Sequence, residues 1–88
     1  MTVQVERKVI AILAERAGLD AADITPDASP ESLGIDSMAL VDAIFAIEET
    51  FGIEVPFNAS APEEGRFDIS SIGAIVRAVE ELIAEQAA

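Results

Sequence analysis

The stretch Leu33-Gly34-Ile35-Asp36-Ser37-Met38, running on into Ala39-Leu40-Val41-Asp42-Ala43-Ile44-Phe45-Ala46-Ile47-Glu48-Glu49, decides how this chain is read. Leu40, Ala43, Ile44, Ile47 and Phe51 recur at three- and four-residue intervals and set one apolar stripe along a helix. Gly52 supplies a stop, so a helix from Ser37 to Phe51 is predicted. Met38, Val41 and Phe45 repeat at the same intervals but form a second stripe, displaced from the first. A helix in a chain of 88 residues cannot be buried on all sides. The second stripe therefore needs a cover of its own: a loop, a bound ligand or a partner protein. Asp42, Glu48 and Glu49 border it, and an apolar stripe with an acidic rim is the composition of a transient docking surface.

The head of this helix is ambiguous. Asp and Ser are both favoured N-caps, so Asp36 or Ser37 can serve simply to start it. Neither has Glu or Gln three residues later, so no capping box forms. Leu33-Gly34-Ile35 adds an apolar, turn-permissive approach that a cap alone does not require. Ser37 is either a cap or a place where something is attached, and local sequence leaves both open.

The rest of the chain also reads as helical. Val5, Val9, Ile12, Leu13 and Ala17 form the stripe of a first helix that starts near Thr2 or Val3 and stops at Gly18. A long loop follows, with Pro26, Pro30 and several turn formers, and Leu19, Ile24 and Leu33 are expected to pin it to the core. Beyond the central helix, Ile53-Glu54-Val55-Pro56 reads as a short extended piece, and Phe57 to Asp68 as irregular, with one turn after Ser60 where Pro62 suits a first helical position. A last helix, capped by Ser70 or Ser71, carries Ile72, Ile75, Val76, Val79, Leu82 and Ile83. The expected fold class is all-α: one free-standing domain over residues 1–88, a small bundle of three main helices plus a short helical turn, with a long loop between helices one and two.

Composition narrows the function. Hydrophobic residues make up 51% of the chain, with four Phe and neither Trp nor Tyr, so the core is aliphatic. No apolar run approaches the ~20 residues of a membrane span. The opening Met1-Thr2-Val3-Gln4-Val5-Glu6-Arg7-Lys8 lacks the basic-then-apolar layout of a signal peptide, so the expected compartment is the cytoplasm. The chain contains no Cys, hence no disulfide framework and no thiolate of its own. Net charge is −12, and the five basic residues are Arg7, Lys8, Arg16, Arg66 and Arg77, leaving none between Ala17 and Gly65. So negative a middle repels nucleic acid and suits basic protein surfaces, with association steered electrostatically. A catalyst is not expected: there is no His or Cys, and Lys8 is far in sequence from Ser37. Asp20, Asp23 and Asp27 do not have the spacing of a calcium-binding loop.

At Leu33-Gly34-Ile35-Asp36-Ser37-Met38 the chain resembles the acyl carrier protein family, whose hallmark is an Asp-Ser-Leu or Asp-Ser-Met triplet preceded by Gly and opening a helix. The likeness continues through Glu48-Glu49-Thr50-Phe51-Gly52-Ile53-Glu54-Val55-Pro56, which matches the family's acidic helix end, Phe-Gly turn and extended piece, and into the helix after Ser71. One departure stands out. The stretch between Pro56 and Ile72 is longer than in the common fatty-acid carriers and includes Phe57 and Phe67. In this the chain looks more like specialised carriers that serve lipid A acylation or nodulation-type lipid synthesis.

The resemblance implies that Ser37 carries 4′-phosphopantetheine, transferred from coenzyme A by a phosphopantetheinyl transferase. The arm's thiol then holds an acyl group as a thioester, which accounts for the absence of cysteine. By position, Asp36 and Met38 would meet the transferase. Val41, Asp42, Phe45, Glu48 and Glu49 would be read by acyl-loading, condensing and acyltransferase enzymes with basic docking surfaces. The interior lined by Leu40, Ile44, Ile47, Ile72 and Val76 would shelter an acyl chain or simply pack. The expected state is a monomer. The competing readings are an aminoacyl, peptidyl or polyketide carrier using the same serine and, in another class, a cofactor-free acidic interaction module or a calcium-binding one.

Overall fold

The computed structural model describes residues 2–56 and 67–86, residues 2 and 3 by backbone alone. Three α-helices dominate them: α1 (Thr2–Ala17), α2 (Ser37–Phe51) and α3 (Ile72–Gln86). No strand occurs among the described residues. The all-α bundle expected from the apolar spacing is the architecture found.

The helix boundaries follow from backbone chemistry. α2 closes on Gly52, which adopts φ 65° and ψ 40° and returns its N–H to Glu48 O. This left-handed conformation is nearly free of cost for glycine and unfavourable for any residue with a Cβ. Ile53 N–H shares the same carbonyl at 3.1 Å. At the other end of the chain Ser71, one of the two predicted caps, takes the N-cap role for α3, its Oγ accepting Ala74 N–H at 3.0 Å.

α1 packs against both α2 and α3. Just before its midpoint, Lys8 Nζ lies 5.9 Å from the centre of the Phe51 ring. In its last turn, Arg16 Nη1 lies 3.6 Å from Asp42 Oδ2. The earlier contact on α1 thus falls at the end of α2 and the later one in the first half of α2, so the two helices run antiparallel. Between the helices, Val9, Leu13 and Ala14 meet Leu40, Ala43, Ile44 and Ile47 of α2 and Ile72, Ile75, Val76 and Val79 of α3 in one buried cluster. Each large aliphatic side chain removed from water there contributes about 1.5–3 kcal/mol. The predicted stripes fade toward the helix ends, where Val5, Ala17, Phe51, Leu82 and Ile83 are half-buried against the cluster, as is Ile12 at the edge of the α1 stripe.

The loop joining α1 to α2 is more ordered than its composition suggested. It contains a 3-10 turn at Ala21–Asp23. Ser29 and Ser32 then cap one another: Ser32 N–H donates to Ser29 Oγ at 3.1 Å and Ser29 N–H to Ser32 Oγ at 3.0 Å. Pro30 O accepts from both Leu33 N–H and Ile35 N–H, folding the chain tightly just before Asp36. Ile24 and Ile35 are buried, with Leu19 and Leu33 half-buried beside them, so the loop is pinned through the three predicted anchors and one more. Two backbone bonds fasten it to the start of α3, Ile72 N–H to Ala28 O at 2.8 Å and Gly73 N–H to Pro26 O at 2.9 Å. A Cβ on Gly73 would stand 3.3 Å from that Pro26 oxygen, so glycine permits the close approach.

After α2, the extended piece Ile53 to Pro56 is held by side chains. Gln86 Nε2 donates to Glu54 O at 2.9 Å and its Oε1 accepts Glu54 N–H at 2.8 Å, while Val55 N–H donates to Glu48 Oε2 at 2.8 Å. Phe67, read from sequence as an unusual addition to an irregular segment, is 3% exposed and belongs to the core. The turn expected after Ser60, and Phe57, lie outside the described residues.

Candidate functional site

The start of α2 resolves the ambiguity between Asp36 and Ser37. Asp36 is the N-cap, with extended φ −79° and ψ 175°, and its Oδ1 accepts Ala39 N–H at 2.8 Å. Leu40 N–H returns to Asp36 O at 3.0 Å. Ser37 is thereby the first residue of the helix proper and does not serve as its cap. With the Ala39 and Leu40 donors taken, the N–H groups of Ser37 and Met38 remain the open donors of the first turn among the described residues. They coincide with the positive end of the helix dipole.

The other described serines are occupied. Ser29 and Ser32 bond each other, Ser70 bonds the Asp68 carboxylate, and Ser71 caps α3. Ser37 is exposed, and its hydroxyl has no hydrogen-bond partner among the described residues. A phosphodiester on this oxygen would sit at a helix N-terminus, outside the core, with two unpaired amides alongside. The site fits that group.

Along α2 the second stripe lies on the surface. Met38 is 82% exposed and Phe45 56%, while Val41 between them is half-buried. The loop between α1 and α2 does not cover Met38 or Phe45. The acidic residues around the stripe differ from one another in how they are engaged. Asp42 is exposed and faces Arg16. Glu49 is exposed, with no ion pair or hydrogen bond among the described residues. Glu48 is half-buried and spends one carboxylate oxygen on Val55 N–H, so its first task is internal. Arg16 was not singled out in the sequence as part of this surface. Its nearness to Asp42 depends on the antiparallel register of α1 and α2, which no local pattern encodes.

Leu40, Ile44, Ile47, Ile72 and Val76, the interior considered as a shelter for an acyl chain, are all buried in the cluster. An open cleft of about 550 Å³ lies elsewhere, lined by Val55, Pro56, Phe67, Ala78 and Leu82 with Glu54, Glu81 and Glu85 among its walls. It adjoins the segment that follows α2, at the opposite end of that helix from Ser37. Among the described residues no group of acidic side chains is arranged to hold a metal ion, and no helix is long and apolar enough to cross a membrane.

Comparison with known proteins points the same way as the geometry. Residues 7–79 match the family model described as "Phosphopantetheine attachment site". An acyl carrier protein of Helicobacter pylori is 38% identical over 72 residues, 81% of this chain and 85% of the relative. Nodulation protein F of Rhizobium leguminosarum bv. trifolii is 40% identical over 65 residues, 74% of this chain and 67% of the relative. The acyl carrier protein AcpXL of Rhizobium etli is 38% identical over 65 residues, 73% and 71% of the two chains. With a family model spanning most of its length and relatives of this similarity, the chain belongs to the acyl carrier protein family, whose members carry acyl groups on a phosphopantetheine arm and are not themselves catalysts.

Proposed function

We propose that Ser37 is the residue bearing the arm and that the exposed face of α2 beside it is read by the enzymes that load and unload it. The observation that carries this reading is the division of labour between neighbours: Asp36 caps the helix, so the Ser37 hydroxyl stays free at its first position. In the loading reaction the Ser37 oxygen forms a bond to the pantetheine-side phosphorus of coenzyme A. The bridging P–O bond breaks, the adenosine bisphosphate portion leaves, and the hydroxyl proton passes to the transferase. When bound, the arm supplies a thiol on which an acyl group is held as a thioester, chemistry that a chain without cysteine cannot supply itself. The open N–H groups of Ser37 and Met38 and the dipole of α2 favour the resulting phosphodiester.

Met38, Val41 and Phe45 form the apolar centre of the docking face, with Asp36, Asp42 and Glu49 as its exposed acids and Glu48 at its far edge. The partners are a phosphopantetheinyl transferase and acyl-loading, condensing and acyltransferase enzymes that present basic surfaces, for which the chain's charge of −12 is suited. Likeness to a nodulation protein and to AcpXL, together with the long stretch between Pro56 and Ile72, supports service in specialised lipid synthesis. Loading from coenzyme A is expected to take place in the cytoplasm.

Intact mass after incubation with coenzyme A and a broad-specificity phosphopantetheinyl transferase tests the site. Wild type is expected to gain one phosphopantetheine and Ser37→Ala none. An equal gain in the alanine variant would move the attachment to another residue.

A further inference from the structure

The described residues contain two side-chain ion pairs, and both belong to Arg16. Its Nη1 stands 3.6 Å from Asp42 Oδ2 and its Nε 3.9 Å from Glu15 Oε1. The side chains of Arg16 and Asp42 are 40% and 59% exposed, and a pair this long and this wet adds little to stability. Its position is more informative than its strength. Asp42 follows Val41 and lies one turn from both Met38 and Phe45, within the face proposed above for docking. From Ala17 to Gly65 the chain has no basic residue, so at this point a cation reaches the acidic face of α2 only because α1 delivers one across the helix pair.

We infer that Arg16 is a built-in competitor for the partner's cation: a lysine or arginine of a docking enzyme must take Asp42 from Arg16 before it can settle on the face. The inference rests on the reading of α2 as the docking face and extends it from the side of α1. Arg16 lowers the negative potential where the partner's charge arrives, and exposed charges act chiefly on the rate of encounter. It therefore favours partners whose patch holds enough positive charge to displace it. Weakly basic surfaces, which a bare Asp42 would also attract, are disfavoured. The exchange costs little structure, because Arg16 swings into solvent and keeps Glu15 beside it.

The test is the kcat/KM of phosphopantetheinylation by a broad-specificity transferase, at low and high salt, for wild type, Arg16→Gln, Asp42→Asn, the double variant and Arg7→Gln. Arg7 is exposed on α1 and makes no ion pair among the described residues, so its variant reproduces the change in net charge without touching Asp42. Arg16→Gln is expected to raise kcat/KM about two- to threefold at low salt, mainly through KM, the size of a screened surface charge effect. The gain should vanish at high salt and in the Asp42→Asn background, and Arg7→Gln should stay near wild type. No gain, a loss, or an equal gain with Asp42 absent or in Arg7→Gln overturns the competitor role while Asp42→Asn, if it slows loading, still supports the docking face. Unchanged loading in Asp42→Asn overturns both.

Discussion

Glu48 and Val55 are joined across the end of α2: the Glu48 carboxylate accepts the Val55 N–H at 2.8 Å while the Glu48 carbonyl accepts from Gly52 and Ile53. One residue thus closes the helix through its backbone and fastens the following extended piece through its side chain. Glu48→Ala leaves the half-buried Val55 amide without its partner and is expected to cost about 1–2 kcal/mol. Urea unfolding checks this. Glu49→Lys, which breaks no hydrogen bond or ion pair among the described residues, should leave the unfolding midpoint almost unchanged and slow loading by a basic partner. Equal destabilisation by the two would show that the Val55 contact contributes nothing.

The two apolar stripes of α2 should separate cleanly. Phe45→Ala removes a side chain that is 56% exposed and is expected to shift stability by no more than about 0.5 kcal/mol. If Phe45 anchors partners, the same change lowers kcat/KM for loading about five- to tenfold, the mark of an interface residue worth more than 1 kcal/mol. Ile44→Ala, one position away and 1% exposed, should cost about 2–5 kcal/mol in urea unfolding.

Asp36→Ala removes the cap and is expected to destabilise the fold by about 1 kcal/mol. It also frees the Ala39 amide, which Ser37 can then compete for. Loading at Ser37 should slow in this variant more than the loss of folded population explains, whereas Asp36→Asn, which keeps an accepting oxygen, should retain the cap. Thermal unfolding and intact-mass time courses on the same samples measure the two effects together.

Asp68 supplies a pH dependence. The Ser70 hydroxyl, the Ser70 N–H at 2.9 Å and, more weakly, Arg77 hold its carboxyl below its ordinary value of 3.8. A depressed folded pKa means that the unfolded chain takes up the proton first as the pH falls. The stabilisation is therefore fully present above about pH 4 and is lost as acid brings the pH through the lower folded value. Asp68→Asn should flatten that part of the stability profile, read as urea midpoints between neutral pH and pH 3.

Helical spacing made most of this architecture legible in advance. The stripes of Val9 and Leu13, of Leu40, Ala43, Ile44 and Ile47, and of Ile72, Ile75, Val76 and Val79 are the buried ones. Gly18 and Gly52 also end their helices, each at positive φ. Contacts set by tertiary register could not be read in this way. Asp36 and Ser37 are chemically equivalent candidates for a cap, and the tight turn made by Ser29 to Ile35 delivers Asp36 to that role. The burial of Phe67 depends on where the chain returns to the bundle, and Arg16 meets Asp42 only because α1 and α2 are antiparallel. Glu48 looked like part of an acidic rim because its position on the helix was visible, whereas the amide it serves, seven residues on, was not.

The fastening of the first loop to α3 has a further consequence. Among the described residues two helices begin with serine at or beside the cap, and in principle each offers an anion a ring of unpaired amides. At α3 the carbonyls of Pro26 and Ala28 plug those amides and the Ser71 hydroxyl is turned inward onto Ala74. At α2 the socket is left open. On the reading proposed for Ser37, the loop does more than connect two helices: by stopping the socket at α3 with its own backbone, it leaves the one at α2 as the address between them.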